Sequence, residues 1–126
     1  MIFKNKCFVF LLIASSFRFF GGYSLGFWAS TYFGGVYPEY SDAYSITNAV
    51  VVIVGGSSSS YMGGYISDKF EPRIPPIKGY VSAIGALCSV PFIILTFSFN
   101  FNFYVAMFCY FLAYLTAEVW YGPCYA

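Results

Sequence analysis

Two ionisable side chains, Arg18 and Glu118, lie well inside long apolar runs of this sequence. A charge at the centre of a bilayer costs at least ~2.5–3.5 kcal/mol on insertion scales, so such residues turn toward a protein interior or a water-filled cavity. Three chemistries suit them. They form an internal ion pair that fixes helix packing, or Arg18 meets an anionic group of a solute, or Glu118 takes up and releases a proton. At helical rise Arg18 sits ~16 Å into its run, and the two side chains differ in depth by roughly 10 Å. That spacing lets them just reach each other or serve separate partners.

Other chemistries find little support. Histidine is absent, which removes the commonest general base and metal ligand. The four cysteines, Cys7, Cys88, Cys109 and Cys124, lie in or beside apolar runs without C-x-x-C spacing, the pattern of buried spectator thiols. Ser57–Ser60 is a run of hydroxyls with no G-x-S-x-G elbow. Asp68 and Glu71 are close, but they sit among basic residues and not as a paired acid and base. No phosphate-binding glycine loop is present, and a net charge of +1 without a basic stripe gives no footprint for nucleic acid. The expectation is a chain that is not an enzyme and holds no cofactor and no metal.

The elements that carry these residues follow from composition. The chain has 126 residues, 60% hydrophobic and 9% charged, against about 25% charged in soluble domains. A core of this size cannot hide that much apolar surface, and a bilayer removes the need. About 20 apolar residues cross the hydrocarbon, and four runs qualify, at about 7–33, 45–67, 76–99 and 101–122. Inside lipid every backbone polar group must pair within its segment, so the runs are predicted to be helices. The predicted fold is an all-α membrane protein of four transmembrane helices in a single domain over 1–126. Its first residues, with Lys4 and Lys6 before an apolar run, could pass for a signal peptide, but the run continues to Phe33 and suits a spanning helix better.

The connections carry turn chemistry. Gly34 to Glu39 is read as the first loop, with Ser45 or Thr47 capping the second helix. Pro76 suits the first turn of the third, Asn100–Asn102 makes a short hairpin, and Pro91 and Gly122-Pro123 are expected to kink or break their helices. Lys4, Lys6, Lys69, Arg73 and Lys78, five of the six basic residues, fall on one side, which the positive-inside rule makes cytoplasmic together with both termini.

Helix pairing in lipid depends on small residues. Gly56, Ser60 and Gly64 recur at four-residue spacing in the second span, beside a neighbouring stripe of Gly55, Ser59 and Gly63. Gly22 and Gly26 follow Arg18 in the first span, and Ser82, Gly85 and Ser89 lie in the third. These faces are expected to turn toward protein. Either they only pack, or the smallest stripe permits sliding in a conformational cycle.

The loop after the second span reads Gly64-Tyr-Ile-Ser-Asp68-Lys69-Phe-Glu71-Pro-Arg73. It resembles the signature loop of the major facilitator superfamily, G-x-x-x-D-[RK]-x-G-x-[RK]. Gly64, Asp68, Lys69 and Arg73 match by position, and Glu71 replaces the second glycine. Arg18-Phe-Phe-Gly-Gly-Tyr23 leading to Trp28, and Glu118-Val-Trp-Tyr-Gly-Pro-Cys-Tyr-Ala126, look like helices seven and ten of spinster-like members. The resemblance covers nearly the whole chain as helices seven to ten, with helices one to four as the other mapping. It implies a partial major-facilitator fold and transport of a small organic or lipid-like solute, with membrane lipid and the remaining helices of a full-length transporter, or neighbouring subunits, as partners. Four helices cannot enclose the family's central cavity, so the chain is expected to be a fragment, a truncated product or one piece of an assembly. The competing expectation is a non-transporting structural membrane subunit derived from such a transporter.

Overall fold

In lipid a chain satisfies its own backbone by coiling, and most of the described residues of this chain are helical. The computed structural model describes residues 6–74, 76–99 and 102–125, and no strand occurs among them. Four helices are long and apolar enough to cross a membrane: Phe8–Val36, Pro38–Phe70, Ile77–Ser98 and Phe103–Cys124. The chain divides into two compact units, Met1–Glu39 and Tyr40–Ala126.

The first unit is the helix α1, Lys6–Val36. Its 31 residues span about 46 Å at helical rise, longer than the ~30 Å hydrocarbon thickness. Phe10, Phe17, Phe20, Tyr23 and Phe27 are exposed along it, as suits a helix whose solvent is hydrocarbon. Its hydroxyls turn back on the helix: Ser16 Oγ donates to Leu12 O at 2.8 Å and Thr31 Oγ1 to Phe27 O at 3.2 Å. The ring of Tyr37 stacks on Phe33 just beyond the helix end.

A 3₁₀ turn, Pro38–Tyr40, leads directly into α2, Ser41–Val50, the first helix of the second unit. A π-helical turn, Val51–Gly55, joins α2 to α3, Gly56–Phe70. The second span therefore starts at Pro38, seven residues before the predicted start. Neither Ser45 nor Thr47 caps it. Tyr40 is the capping residue and offers no side-chain bond, while Ser45 Oγ donates to Ser41 O one turn back. Proline at the first position, with φ already helical, starts the helix earlier than the polar residues would.

The third span is α4, Ile77–Ser98, which runs through Pro91 without interruption. The fourth is α5, Phe103–Ala117, followed by a 3₁₀ turn, Glu118–Trp120, and by α6, Tyr121–Tyr125. Helices α4 and α5 form an antiparallel hairpin with the most extensive contact in the unit. The buried side of α5 and its turn is Phe103, Ala106, Met107, Tyr110, Ala113, Ala117 and Trp120, at the three- and four-residue spacing of one helix face. Facing it on the second span is a column at strict four-residue spacing, Val51, Gly55, Ser59, Gly63 and Ser67, all buried. From α4 come Gly85, Ser89 and Thr96.

Contacts between the second and fourth spans advance together. Tyr40 stacks on Phe103 at 4.8 Å. A Cβ on Gly55 would lie 3.4 Å from the Phe111 ring, Gly63 meets Val119, and Gly64 meets Gly122. The two spans are therefore parallel, as two helices separated by one intervening span must be.

Candidate functional site

The site forms where the fourth span loses its regular ladder. Proline has no N–H, and its ring crowds the carbonyl four residues back. Pro123 therefore leaves the Val119 carbonyl without its helical donor. The backbone tightens over Glu118–Trp120, and the Tyr121 N–H bonds to Glu118 O in the shorter 3₁₀ pattern. The sequence placed the break at Gly122-Pro123. The structure moves it to Glu118–Trp120, one turn earlier, because the proline acts on its i−4 carbonyl while Pro123 itself continues in helix α6.

Three glycines receive the irregular turn. The Val119 carbonyl oxygen occupies the place where a Cβ on Gly63 would stand, and Val119 C lies 2.9 Å from that place. A Cβ on Gly85 would come within 2.8 Å of Thr116 O and 3.3 Å of Val119 Cβ. A Cβ on Gly122 would run into Gly64 N and Ser60 O. The contact is backbone on backbone, with Cα–H groups facing carbonyl oxygens, each such contact worth perhaps 0.5–1 kcal/mol. Irregular backbone at membrane depth is tolerated where protein covers it, and here glycine surfaces do so.

Of the two adjacent stripes expected to turn toward protein, the second is the more deeply buried. Ser60 and Gly64 meet Gly122 as expected of a close-contact face, but Gly56 is half-buried and, among the described residues, no atom lies within 4 Å of a Cβ built on it. The fully buried line is the neighbouring one, through Gly55, Ser59 and Gly63. The π-helical turn inserts one extra residue in its own cycle and so rotates the downstream face. Gly22 and Gly26 lie on α1 and are exposed.

Glu118 opens the 3₁₀ turn. Its residue is half-buried and its Oε2 is shielded from solvent. One and two turns before it on the same face stand Tyr114 and Tyr110, whose rings pack edge to face at 5.5 Å. Tyr110 is 1% exposed. Tyr44 of α2 lies within electrostatic reach of Tyr110 and Tyr114, and Tyr114 within reach of Glu118, which places Tyr44 beside the column. Sequence reasoning singled out Glu118 but missed these tyrosines. Their signal was present as Tyr110, Tyr114 and Glu118 at strict four-residue spacing, masked by 13 tyrosines in the chain. Arg18, the other intramembrane charge, lies half-buried midway along α1.

Two buried hydroxyls flank Gly63 one turn to either side. Ser59 and Ser67 are 0% exposed, and among the described residues neither Oγ has a hydrogen-bond partner. Elsewhere hydroxyls satisfy themselves within their helix: Ser60 to Gly56 O, Ser89 to Ala86 O, Thr96 to Phe92 O, and Thr116 to Leu112 O and Ala113 O, all between 2.7 and 3.1 Å.

The signature-like loop leaves the membrane-length helices compactly. Glu71 N bonds to Ser67 O, and Arg73 N and Ile74 N both reach Phe70 O. Asp68, Lys69 and Arg73 are exposed. Lys69 Nζ lies 5.8 Å from the Tyr65 ring centroid. Glu71, which stands where the motif carries glycine, makes an ion pair with Lys78 at 3.1 Å, clasping the end of α3 to the start of α4. No described group of three or more acidic or cysteine side chains could hold a metal ion. Cys88, Cys109 and Cys124 are free thiols but not buried as the sequence suggested: Cys88 and Cys124 are exposed and Cys109 half-buried, because an apolar run places residues on the outer as well as the inner face of its helix; the side chain of Cys7 lies outside the described residues.

The chain matches no protein-family model, no curated protein and no solved structure.

Proposed function

We propose that this chain forms part of a secondary transporter for a small organic or lipid-like solute, with Glu118 as its coupling group. The observation that carries the reading is a shielded carboxyl group at a break in the fourth of four membrane-length apolar helices. Broken membrane helices are where transporters place solute and ion sites, and this break lies in the last two turns of its span. Carboxyl groups within membrane helices are the usual proton carriers. Arg18, on α1, is the group proposed to meet an anionic part of the solute. The resemblance of Gly64, Asp68, Lys69 and Arg73 to the major-facilitator loop, and of the flanking stretches to spinster-like members, supports the same reading. In it the loop and both termini face the cytoplasm. The working partners are membrane lipid, the small-molecule solute and further helices of a full-length transporter or neighbouring subunits.

A non-transporting membrane subunit is favoured by one observation, the backbone-to-backbone seam at Gly63, Gly85 and Gly122, which suits a rigid scaffold. Uptake by liposomes holding the full-length gene product, assayed with a panel of labelled organic anions and lysolipids at several pH values, separates the two. The transporter reading expects saturable uptake that Glu118→Gln strips of its pH dependence and that Arg18→Ala impairs in a correctly inserted protein. Absence of uptake across the panel, or a pH dependence intact in Glu118→Gln, sinks it.

A further inference from the structure

The interior between the second and fourth spans holds a line of hydroxyls that the helix packing does not require. Phenylalanine at 110 or 114 would fill the same volume. Yet Tyr110, Tyr114 and Glu118 stack at four-residue intervals on one face, covering about 12 Å along the axis at helical rise, and Tyr44 of α2 stands beside them. The line starts at Glu118, where the backbone is irregular, and runs toward the end of the unit marked by the stacked rings of Tyr40 and Phe103. Burying phenolic hydroxyls in hydrocarbon is costly unless they have hydrogen-bonding partners, so a column of them beside a carboxyl is a feature with a consequence.

We infer that Tyr114, Tyr110 and Tyr44 form the route by which protons reach and leave Glu118, opening toward the Tyr40–Phe103 end of the helices and away from the basic loop. This rests on the reading of Glu118 as a proton carrier. In each transfer the carboxyl O–H of Glu118 breaks and its proton passes to Tyr114 Oη. Tyr114 gives its own hydroxyl proton to Tyr110 or Tyr44 in the same event, and that residue releases its own hydroxyl proton to water at the Tyr40–Phe103 end, so one O–H bond forms for each that breaks and neither a phenolate nor a protonated phenol accumulates. Return transfer reverses the sequence.

The elements packed against the turn present the following groups. On α3 Gly63 and Gly64 meet the turn, the Ser60 carbonyl lies against Gly122, and the buried hydroxyls of Ser59 and Ser67 stand one turn to either side of Gly63, while Tyr61, Tyr65, Asp68 and Lys69 of that helix are exposed. On α4 the group against it is Gly85; Tyr80 and Cys88 are exposed, and Lys78 is paired with Glu71. On α6, Tyr121 is half-buried and stacks on Trp120, and Cys124 is exposed.

The test needs no transported solute. The full-length chain in phosphatidylcholine nanodiscs is taken through a rapid pH jump, and the carboxyl C=O stretch is followed by infrared difference spectroscopy. Loss of the band in Glu118→Gln assigns it. The expected result is that Tyr114→Phe and Tyr110→Phe each slow relaxation of that band at least about tenfold, while Tyr104→Phe, at an exposed position, leaves it unchanged. Unchanged rates in both column variants, with the band still assigned to Glu118, overturn the route and leave the carrier reading standing. Absence of a titrating band in the parent chain removes the carrier and the route together.

Discussion

The third and fourth spans each contain a proline, and only one of them breaks. Pro91 removes the donor for the Leu87 carbonyl, yet α4 continues unbroken from Ile77 to Ser98. Pro123 removes the donor for the Val119 carbonyl, and the backbone tightens into a 3₁₀ turn over Glu118–Trp120. The surroundings differ more than the residues do. Pro91 is exposed and Leu87 is 71% exposed, so the freed carbonyl there sits on the outer side of α4. Pro123 is buried, and the Val119 carbonyl is pressed onto Gly63. Proline releases a carbonyl, and a neighbouring glycine decides whether the helix gives way to deliver it.

That comparison can be broken at its receiving side with the largest effect. Gly63→Val or Gly122→Val puts a branched side chain where backbone atoms of the partner span already stand. Overpacking typically costs 1–3 kcal/mol and occasionally more, and backbone cannot rotate away as a side chain does. A loss of about 3 kcal/mol or more is expected, read as the shift in reversible unfolding in mixed micelles. A loss under 1 kcal/mol would mean the seam is loose. Pro123→Ala attacks the releasing side. It restores the missing N–H, and one recovered bond of about 1 kcal/mol should slow amide exchange over residues 119–123 by several-fold. Pro91→Ala should leave the path of α4 unchanged, and equal responses in the two spans would remove the distinction between them. Gly85→Ala tests the secondary contact with Thr116 O and should cost about 1–2 kcal/mol, since the added methyl needs a backbone carbonyl and the Val119 Cβ to give by only a few tenths of an ångström. Gly56→Ala sharpens the contrast from below. The site is open, so relief of glycine's backbone entropy should leave stability unchanged or raise it by up to about 1 kcal/mol.

The spans themselves were legible because hydropathy over some 20 residues is a bulk property that no neighbour can override. Predicted and observed limits agree within three residues for the first and third. The start of the second span was misplaced because the polar residues Glu39, Asp42 and Ser45 look like loop, while Pro38 with its preset φ already begins the helix. Both small-residue stripes of the second span were legible, but which is buried more deeply was not, because each is built of Gly and Ser at the same spacing. Glu118 stood out as a lone acid among apolar residues. Its tyrosine neighbours did not, since Tyr occurs throughout and only the fold reveals that Tyr110 and Tyr114 point inward while Tyr61 and Tyr104 do not. Glu71 was read as a defect in a motif, and its partner Lys78 became evident once α3 and α4 were placed end to end.

The parallel course of the second and fourth spans has a consequence for biogenesis. Helices enter a membrane in the order of their synthesis, and parallel neighbours cannot meet across a tight hairpin. The seam of Gly63 and Gly64 with Val119 and Gly122 must therefore wait until α4 has crossed and the last span has followed it. Until then Ser59 and Ser67 remain turned toward lipid or toward the cell's insertion machinery. A lesion in the seam should leave translocation intact and strike afterwards, yielding a fully threaded but unassembled protein that quality control removes.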